Sequence, residues 1–450
     1  MTFLPEVYST NSAVSNGELT IAGIPAAALV REYGSPLFVM DEDDFLSRAT
    51  AWKSALDRHF GTAAGNVYYA SKSFTCIEVA KWIKSVGIGI DVCTAGEMAV
   101  ARAAGFPPEL IEVHGNNKSI EEITTAIEIG AGAIIVDSFI ELERIQAIAV
   151  SLGKIQKIYL RLTPGVDAHT HEFISTAHED VKFGFSIASG AAWKAIEIAM
   201  ASSAINLAGL HAHIGSQIFV TDGFELAATR LIALLAQFRD HFGTELPELD
   251  LGGGYGIAYL PGESTMDPDH MMAKLAEVVK RECAAHNLAT PRISIEPGRA
   301  IVGPTTTTLY TVGTTKSVDL DGGSTRRYIA VDGGMSDNIR PALYGAEYTA
   351  LLANRTSTAT PTSSRLVGKH CESGDILIRE IDLPSDIGAD DILAIPATGA
   401  YCRSMASNYN HVGRPAVVAV KAGSARTILR RETEADLLAL DVIEAPRTIR

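Results

Sequence analysis

The chain has 450 residues, of which 47% are hydrophobic and 20% charged, a composition typical of a soluble globular protein with a large core. Its 38 basic and 53 acidic residues give a net charge of −15, which argues against nucleic acid or an anionic membrane as a partner. The five cysteines have no metal-ligand or redox spacing, the amino terminus does not resemble a secretory signal, and no apolar run has membrane-span length, so we expect a cytoplasmic protein without disulfides.

Short apolar segments rich in β-branched residues alternate with helical patterns through the first 300 residues. The predicted strands are Val67–Ala70, Ile88–Val92, Ile111–His114, Ala133–Asp137, Lys157–Leu162, Leu207–His213, Leu249–Gly252 and Arg292–Glu296. The predicted helices include Gly96–Ala104, Ile120–Ile129, Phe139–Leu152, Ala191–Ala201, Phe224–Phe238 and Met271–Ala285. About eight βα units in succession predict an α/β fold, a (β/α)₈ TIM barrel. A doubly wound sheet is the main alternative, because periodicity alone does not distinguish the two.

Two of these helices have explicit start signals. Thr94 with Glu97, and Ser119 with Glu122, have the spacing of capping boxes, in which a hydroxyl and a carboxylate bind the first free amides.

From about residue 300, short alternating segments separated by turn residues replace the helical pattern. The predicted strands here are Thr306–Val312, Tyr328–Val331, Ile376–Ile381, Ile392–Ile395 and Ala416–Val420. They indicate a separate, mainly antiparallel β domain. We therefore divide the chain into an N-terminal segment of residues 1–35 that contributes the strand-like Glu18–Ala22 to the β domain, a barrel of residues 36–303, and a C-terminal β domain of residues 304–450. The Thr/Ser-rich stretch Ala353–Ser364 is predicted to be a surface loop.

Reactive side chains and glycines follow several of the predicted barrel strands, and they lie where the strands end. These residues are Lys72, Asp91, His114, His213, Gly252–Gly254 and Glu296. In a TIM barrel such positions converge on the carboxyl-terminal rim, where active sites lie. The pattern predicts one site that combines a lysine, imidazoles, a carboxylate and a glycine-rich turn.

Each of these features also has a simpler interpretation when taken alone. Lys72 is either a solvated lysine at a strand end or a Schiff-base lysine. The turn Gly252–Gly254 is either a tight turn or a set of backbone amides that hold a phosphate. The segment Glu296–Arg299 is either a surface turn with a self-paired carboxylate and guanidinium, or a second place where the backbone approaches a ligand.

The paired histidines raise the possibility of a metal site. His211 with His213, and His169 with His171, each place two imidazoles on one face of an extended segment. We expect no metal, because no third ligand has a familiar spacing. His213 instead suits a flat ring packed against another ring, and His211 a hydrogen-bonded core position. Asp91 is left outside the chemistry, although it could orient a neighbour at the rim.

Seven motifs occur in one order along the chain: Tyr69–Lys72, His114–Lys118, His211–Gln217, Gly252–Gly254, Glu296–Arg299, Cys371–Asp375 and Thr398–Tyr401. Together they resemble the fold-type III decarboxylases that depend on pyridoxal 5′-phosphate (PLP), over nearly the whole chain from about Pro36. The stretches His169–Ser175 and Asp332–Tyr344 resemble the diaminopimelate branch rather than the ornithine or arginine branch. Two departures, Ser73-Phe74 for the more usual Ala-Asn and Thr94 for serine, remove no group that the chemistry needs.

The resemblance implies an alanine racemase-like architecture of a PLP-binding barrel and a β domain. It also implies that PLP forms an internal aldimine on Lys72, that His213 stacks on the ring, and that Glu296 binds the pyridine nitrogen. The remaining cofactor contacts that it implies are Ser216, Gly254, Pro297, Gly298, Arg299 and Tyr401.

By the same resemblance, the reaction is decarboxylation of meso-2,6-diaminopimelate to L-lysine and CO₂, the last step of lysine biosynthesis by the diaminopimelate route. The proton donor is Cys371, contributed by the partner subunit of a homodimer with shared sites. The implied substrate contacts are Arg299, Arg340, Tyr344, Glu372 and Tyr401. An arginine suits the far carboxylate through bidentate pairing, and Glu372 suits the far ammonium.

Three alternatives differ in substrate, reaction or activity. The first is a decarboxylase of ornithine, arginine or carboxynorspermidine, against which Arg340 and Glu372 argue because ornithine has no far carboxylate. The second is an amino-acid racemase, which needs a second base, commonly a tyrosine, on the opposite face of the ring. Cys371, and Glu296 beside the pyridine nitrogen, argue against this alternative. The third is a non-catalytic PLP-binding regulatory relative, which tends to lose the lysine or the cysteine, whereas Lys72 and Cys371 are both present.

Overall fold

The computed structural model describes residues 3–62, 64–165, 182–321, 323 and 325–442. They fall into two compact units. The barrel unit contains Asp43–Ala258 and Gly262–Pro304, and the β unit contains the chain up to Glu42, Tyr259–Pro261 and the chain from Thr305 onward. Histidines 169 and 171, and the stretch His169–Ser175, lie outside the described residues. Within the described part of the chain, no helix combines the length and the apolar character needed to cross a bilayer.

The strands of the described residues are, in chain order, β1 (Ser12–Ser15), β2 (Glu18–Ile21), β3 (Ile24–Pro25), β4 (Leu37–Asp41), β5 (Gly65–Ala70), β6 (Gly89–Val92), β7 (Ile111–Val113), β8 (Ala133–Val136), β9 (Gln156–Thr163), β10 (Phe185–Ser186), β11 (Ile205–His211), β12 (Glu248–Asp250), β13 (Arg292–Ile295), β14 (Thr306–Asp319), β15 (Thr325–Val331), β16 (Leu351–Leu352), β17 (Pro361–Val367), β18 (Ile376–Pro384), β19 (Ile392–Ile395), β20 (Ala416–Lys421) and β21 (Ser424–Leu429).

The helices of the same residues are α1 (Ala26–Tyr33), α2 (Glu42–Phe60), α3 (Ile77–Val86), α4 (Ala95–Ala103), α5 (Ile120–Ile129), α6 (Phe139–Ser151), α7 (Ala191–Met200), α8 (Asp222–Phe242), α9 (Pro268–Ala285), α10 (Arg299–Val302), α11 (Arg340–Tyr344) and α12 (Glu434–Leu438).

Eight parallel strands close the barrel. Strands β5 to β9 pair in chain order, β9 pairs with β11, and β11, β12 and β13 follow in turn. Strand β13 then returns to β5, with Ile293 opposite Gly65. The short β10 adds a further parallel pairing to β9. The predicted (β/α)₈ barrel is confirmed, and the alternative of an open doubly wound sheet is wrong.

The predicted helix starts differ in how completely they form capping boxes. At Ser119 both halves of the box are present, because the hydroxyl accepts from Glu122 N–H and the Glu122 carboxylate accepts from Ser119 N–H. At Thr94 the hydroxyl accepts from Glu97 N–H, but the Glu97 carboxylate binds Cys93 N–H instead. The Glu97 carboxylate therefore binds the backbone N–H one residue before the one that the capping-box spacing predicts.

The β unit is mainly antiparallel, as predicted. Its larger sheet has the order β18-β17-β15-β14-β4-β20-β21, and two of its pairings, β15 with β17 and β4 with β20, are parallel. The 14-residue β14 pairs with β4 and β19 through its first half and with β15 through its second. Strands β1 to β3 form a separate antiparallel sheet in the same unit.

Two segments differ from the sequence-based expectation. The barrel is predicted to start at residue 36, whereas Leu37–Asp41 forms β4 in the β unit, paired between β14 and β20. The predicted surface loop Ala353–Ser364 overlaps Pro361–Val367, because its last four residues pair with β18. In both places the pairing partner lies far away in sequence, so local composition does not reveal it.

Candidate active site

Lys72 follows β5 in a short 3₁₀ turn, Ser71–Ser73, and its side chain is 35% exposed. The Lys72 Nζ atom lies 3.8 Å from Asp91 Oδ2, and the Asp91 side chain, within β6, is fully buried. Burial raises the pKa of Asp91 to about 7, although the Lys72 ammonium opposes the shift. The lysine amine therefore faces the rim beside a carboxyl group that can take up a proton near neutral pH.

The Glu296 carboxylate, directly after β13, is the electrostatic centre of the rim. Its Oε1 atom lies 3.0 Å from His211 Nε2 and 3.2 Å from His114 Nε2. Burial alone would raise the pKa of Glu296, but these two imidazoles and the Lys72 ammonium together hold that pKa well below its usual range. Because an ionised carboxylate only accepts hydrogen bonds, His211 Nε2 carries the proton it donates to Glu296.

His213 lies just beyond the end of β11, with its Nδ1 atom 4.0 Å from Glu296 Oε2. The backbone N–H of Gly253 donates to His213 Nδ1 at 3.1 Å, so Nδ1 is unprotonated. Burial and the nearby Lys72 lower the pKa of His213 well below its usual range. The ring is therefore neutral and held in a fixed orientation at the rim.

The glycine turn after β12 has no room for side chains. A Cβ atom on Gly252, Gly253 or Gly254 would lie 2.5, 2.1 or 2.4 Å from a backbone oxygen of Ala212, Glu296 or Gly215, respectively. Gly252 and Gly254 also have backbone φ angles of +68° and +119°, which residues other than glycine rarely adopt. The turn brings bare backbone close to the residues that follow β11 and β13.

The main chain also makes a close contact in the segment 296–299, at a glycine. A Cβ on Gly298 would lie 2.8 Å from Ala70 Cβ, so glycine is required beside the end of β5. Pro297 is buried next to it. Arg299 begins α10, and its Nε and Nη2 atoms donate to Ser216 Oγ at 3.3 and 3.1 Å. The simpler interpretation, a self-paired Glu296 and Arg299 on the surface, is wrong, because both are buried and Arg299 contacts Ser216.

Two more carboxyl groups, Glu112 and Asp250, lie buried with Glu296 in the barrel. One carboxylate oxygen from each of Glu112, Asp250 and Glu296 lies within 4.8 Å of the other two. Burial, together with the Glu296 charge, raises the pKa values of Glu112 and Asp250 well above their usual range. Glu296 is therefore the ionised member of the three.

Two overlapping groups of side chains in the barrel could also hold a metal ion. One is the group of three carboxyl groups, and the other consists of His114, His211 and Glu296, whose nitrogen and oxygen atoms lie within 4.8 Å of one another. The expectation that the protein holds no metal therefore stays a prediction.

The other predicted site residues lie in the β unit. Cys371 and Glu372 occupy the loop between β17 and β18, and both are exposed. The Glu372 carboxylate accepts a hydrogen bond from Gly374 N–H at 3.1 Å. Tyr344 is half-buried at the end of α11, and Tyr401 is half-buried with a φ of +61°, an unusual conformation for a tyrosine.

Arg340 is buried in the β unit among aromatic side chains. Its guanidinium carbon lies 4.6 Å from the centre of the Tyr259 ring and 5.4 Å from that of Tyr348, and it donates to the Tyr348 hydroxyl. The Arg340 Nε atom is buried without a hydrogen-bond partner in the structure. Arg340 is thus a buried charge, whereas the Cys371 thiol is exposed.

The structure thus brings Lys72, His213 and Glu296 to one rim, with Ser216 and Arg299 in contact. Two further residues join the site. Asp91 is expected only to orient a neighbour at the rim, and His114 is expected as a strand end and as the first residue of a motif, yet each lies within 4 Å of a predicted site residue. Their positions at the ends of β6 and β7 were the signal that pointed to the rim.

Comparison with known proteins assigns the family. Residues 42–303 match the family described as pyridoxal-dependent decarboxylase, pyridoxal binding domain. The chain is 55% identical to the diaminopimelate decarboxylase of Mycobacterium tuberculosis over 443 residues, which cover 97% of this chain and 98% of that one. The chain belongs to the diaminopimelate decarboxylases of the pyridoxal-dependent decarboxylase family.

Other diaminopimelate decarboxylases match over a similar extent. The enzyme of Corynebacterium efficiens is 50% identical over 427 residues, covering 95% of this chain and 92% of that one. The crystal structure of diaminopimelate decarboxylase from M. jannaschii in co-complex with L-lysine has a TM-score of 0.88 and 30% identity, covering 97% of this chain and 98% of that chain. The similarity therefore spans both units and includes the β unit, outside the matched family domain.

Proposed function

We propose that this protein decarboxylates meso-2,6-diaminopimelate to L-lysine and CO₂ with PLP as its cofactor, the last step of lysine biosynthesis by the diaminopimelate route. The observation that carries the proposal is the barrel rim, where Lys72 and an ionised Glu296 share one site. The identity to diaminopimelate decarboxylases over both units supports the choice of substrate.

The residues of the rim fit PLP. A partly exposed lysine amine suits the aldehyde, and the ionised Glu296 suits a protonated pyridine nitrogen. The neutral ring of His213 suits the flat face of the cofactor. Bare backbone at Gly254 and Gly298 suits a phosphate, with Ser216, Pro297, Arg299 and Tyr401 as the other proposed cofactor contacts.

When bound, PLP supplies an electron sink for the electron pair released as CO₂ leaves the α-carbon. Glu296 holds a proton at the pyridine nitrogen, and the hydrogen bond from His211 keeps that carboxylate ionised. Asp91 orients the Lys72 amine from the next strand. His213, held by Gly253 N–H, keeps its ring in a fixed plane.

The β unit supplies most of the groups proposed to recognise and protonate the substrate, and the barrel unit supplies Arg299. Arg340 and Arg299 bind the far carboxylate, Glu372 binds the far ammonium, and Tyr344 and Tyr401 complete the contacts. Cys371 delivers the proton to the α-carbon from the partner subunit of a cytoplasmic homodimer. The exposure of Cys371 and Glu372 supports this assignment, because both side chains are accessible to a ligand or a second chain.

The test is a substrate panel with purified, PLP-loaded protein. Meso-diaminopimelate, ornithine and arginine are supplied separately, and CO₂ and the amine product are measured. We expect lysine and CO₂ from diaminopimelate alone. CO₂ from ornithine or arginine would contradict the assignment of Arg340 and Glu372 to the far end. No CO₂ from any of the three, with PLP still bound, would reject the decarboxylase proposal.

A further inference from the structure

The main chain of Cys371 contacts a side-chain amide from another segment of the β unit. The Cys371 backbone N–H donates a hydrogen bond to Oδ1 of Asn410 at 3.3 Å. Asn410 lies in the segment between β19 and β20. The Cys371 side chain itself is exposed. This hydrogen bond is therefore one of the contacts that hold the main chain from which the thiol projects.

The same amide oxygen accepts a second hydrogen bond. His370 Nδ1 lies 3.2 Å from Asn410 Oδ1, and His370 Nε2 lies 2.8 Å from Ser336 Oγ. Because Cys371 N–H can only donate, the oxygen of the amide must face it, and His370 Nδ1 then donates to that oxygen as well. In the neutral ring, Nε2 accepts from the Ser336 hydroxyl. The hydrogen bonds thus form a continuous chain from Ser336 through His370 and Asn410 to Cys371.

Asn410 has an unusual backbone conformation and lies beside well-packed neighbours. Its φ and ψ angles are +51° and +28°, a left-handed conformation that asparagine tolerates better than most residues. The Tyr409 ring packs on His370 with 5.3 Å between ring centres. His370 N–H also donates to Asp375 Oδ2 at 2.8 Å, which closes the loop that carries Cys371 and Glu372.

We propose that Asn410 is a positioning residue for the proton donor: its amide oxygen, oriented by His370, holds the main chain of Cys371 in place. The inference rests on the proposed function, since it assumes that Cys371 delivers the proton. It assigns a role to a residue that is outside the proposed substrate and cofactor contacts and that acts through the Cys371 loop.

The test uses three single variants of the PLP-loaded protein. Asn410→Gly removes the amide and still permits the left-handed backbone, whereas Asn410→Asp keeps an acceptor oxygen. Asn287→Gly is the matched control, because Asn287 is an exposed asparagine with a φ of +55° in the barrel unit. We expect Asn410→Gly to lower kcat by about fivefold to tenfold, the usual effect of one lost hydrogen bond, with KM little changed. Asn410→Asp should recover most of that loss, and Asn287→Gly should leave kcat unchanged.

The same Asn410 change in a Cys371→Ala background distinguishes positioning from general stability. If Asn410 acts through the thiol, Asn410→Gly causes no further loss once Cys371 is absent. An equal loss of kcat in both backgrounds would overturn the proposal, as would a wild-type kcat for Asn410→Gly. Should Asn410→Gly not fold, His370→Phe removes the donor that orients the amide and keeps a flat ring beside Tyr409, and the same non-additivity with Cys371→Ala is expected.

The outcomes also separate this inference from the proposed function. A wild-type kcat for Cys371→Ala alone would reject the donor assignment on which both depend. A slow Cys371→Ala with an additive Asn410→Gly would reject only the positioning role.

Discussion

Burial and neighbouring charges give the carboxyl groups of the barrel opposite protonation states. Glu296 is buried among imidazoles and keeps a low pKa, whereas burial raises the pKa of Asp91 to about 7. Asp91 has Lys72 as its only nearby cation among the contacts that the structure describes around it. A single rim thus holds one carboxylate that stays charged and one that titrates near neutral pH.

Asp91→Asn tests this difference through its effect on stability. In the unfolded chain Asp91 ionises near pH 4, but in the folded protein it ionises near pH 7, so the wild type loses stability from this group as pH rises between those values. We expect the stability of Asp91→Asn relative to wild type to increase across that window, by at most about 1.4 kcal/mol per pH unit, and to level off above it. Chemical denaturation without added PLP measures the difference.

Asp240→Asn, at an exposed position of the barrel unit, is the control and should show no such trend. A difference that is constant from pH 4 to pH 8 would contradict the raised pKa of Asp91.

A buried ion pair outside the proposed chemistry fixes the loop that follows β7. Lys118 Nζ donates to Glu141 Oε1 at 2.6 Å and to the carbonyl oxygens of Gly115 and Ile135 at 2.7 and 2.6 Å. The two side chains are only 1% and 4% exposed. The motif His114–Lys118 therefore contains a structural lysine as well as a histidine of the rim.

Removal of this lysine should be costly. Lys118→Met leaves Glu141 buried without its cation, and we expect a loss of about 3–5 kcal/mol in the free energy of unfolding. The loss should be larger at pH 8 than at pH 5, because Glu141 can accept a proton at the lower pH. Urea denaturation measures both values. Lys274→Met, which breaks an exposed pair with Glu277, should cost less than about 1 kcal/mol, and an equal cost would contradict the argument.

At the scale of elements, the turn after β12 shows how a loop without side chains brings strands together. Its three glycines approach backbone oxygens of residues after β11 and β13. Gly254→Ala places a Cβ 2.4 Å from Gly215 O, and backbone, unlike a flexible side chain, cannot easily move away. The turn therefore has no room for a side chain at Gly254.

Gly254→Ala should therefore lower both stability and cofactor affinity. We expect a loss of about 1–3 kcal/mol in the free energy of unfolding from backbone strain, and weaker PLP binding in a fluorescence titration. Gly262→Ala is the matched control, because Gly262 has a φ of +82° but no atom within 4 Å of a Cβ. If the two variants lose the same stability and the same PLP affinity, the close contact at Gly254 has no role of its own.

Sequence periodicity predicted the barrel strands well, because each βα unit is contiguous and its apolar run is short and buried. Periodicity could not assign β4 to the correct unit. Its five residues, Leu37–Asp41, are all buried, and such a strand has the same sequence pattern in a barrel as in a mixed sheet. Asn410 was missed, and Asp91 was left outside the chemistry, for a related reason. The partners that matter, Lys72 and Cys371, lie on other elements, and only the fold brings them within reach.

At the scale of the whole molecule, the proposed sharing of sites between subunits makes a sharp prediction. Lys72→Ala should abolish turnover and the absorption of lysine-bound PLP, and Cys371→Ala should be slow with PLP still bound. Coexpression of the two variants should restore at most about a quarter of wild-type activity, since about half of randomly formed dimers are mixed and each has one intact site. Activity and the fraction of mixed dimers are measured on the same sample. No recovery in confirmed mixed dimers would contradict shared sites.

Strand β4 is synthesised long before β14 and β20, the two strands with which it pairs. The five residues of β4 are synthesised before the whole barrel region, yet one neighbouring strand begins at Thr306 and the other at Ala416. A nascent chain on the ribosome therefore exposes a short apolar strand with unpaired backbone until nearly the entire polypeptide has emerged. Premature release from translation anywhere between these strands would yield a fragment with an open sheet edge, a natural target for chaperones and proteases.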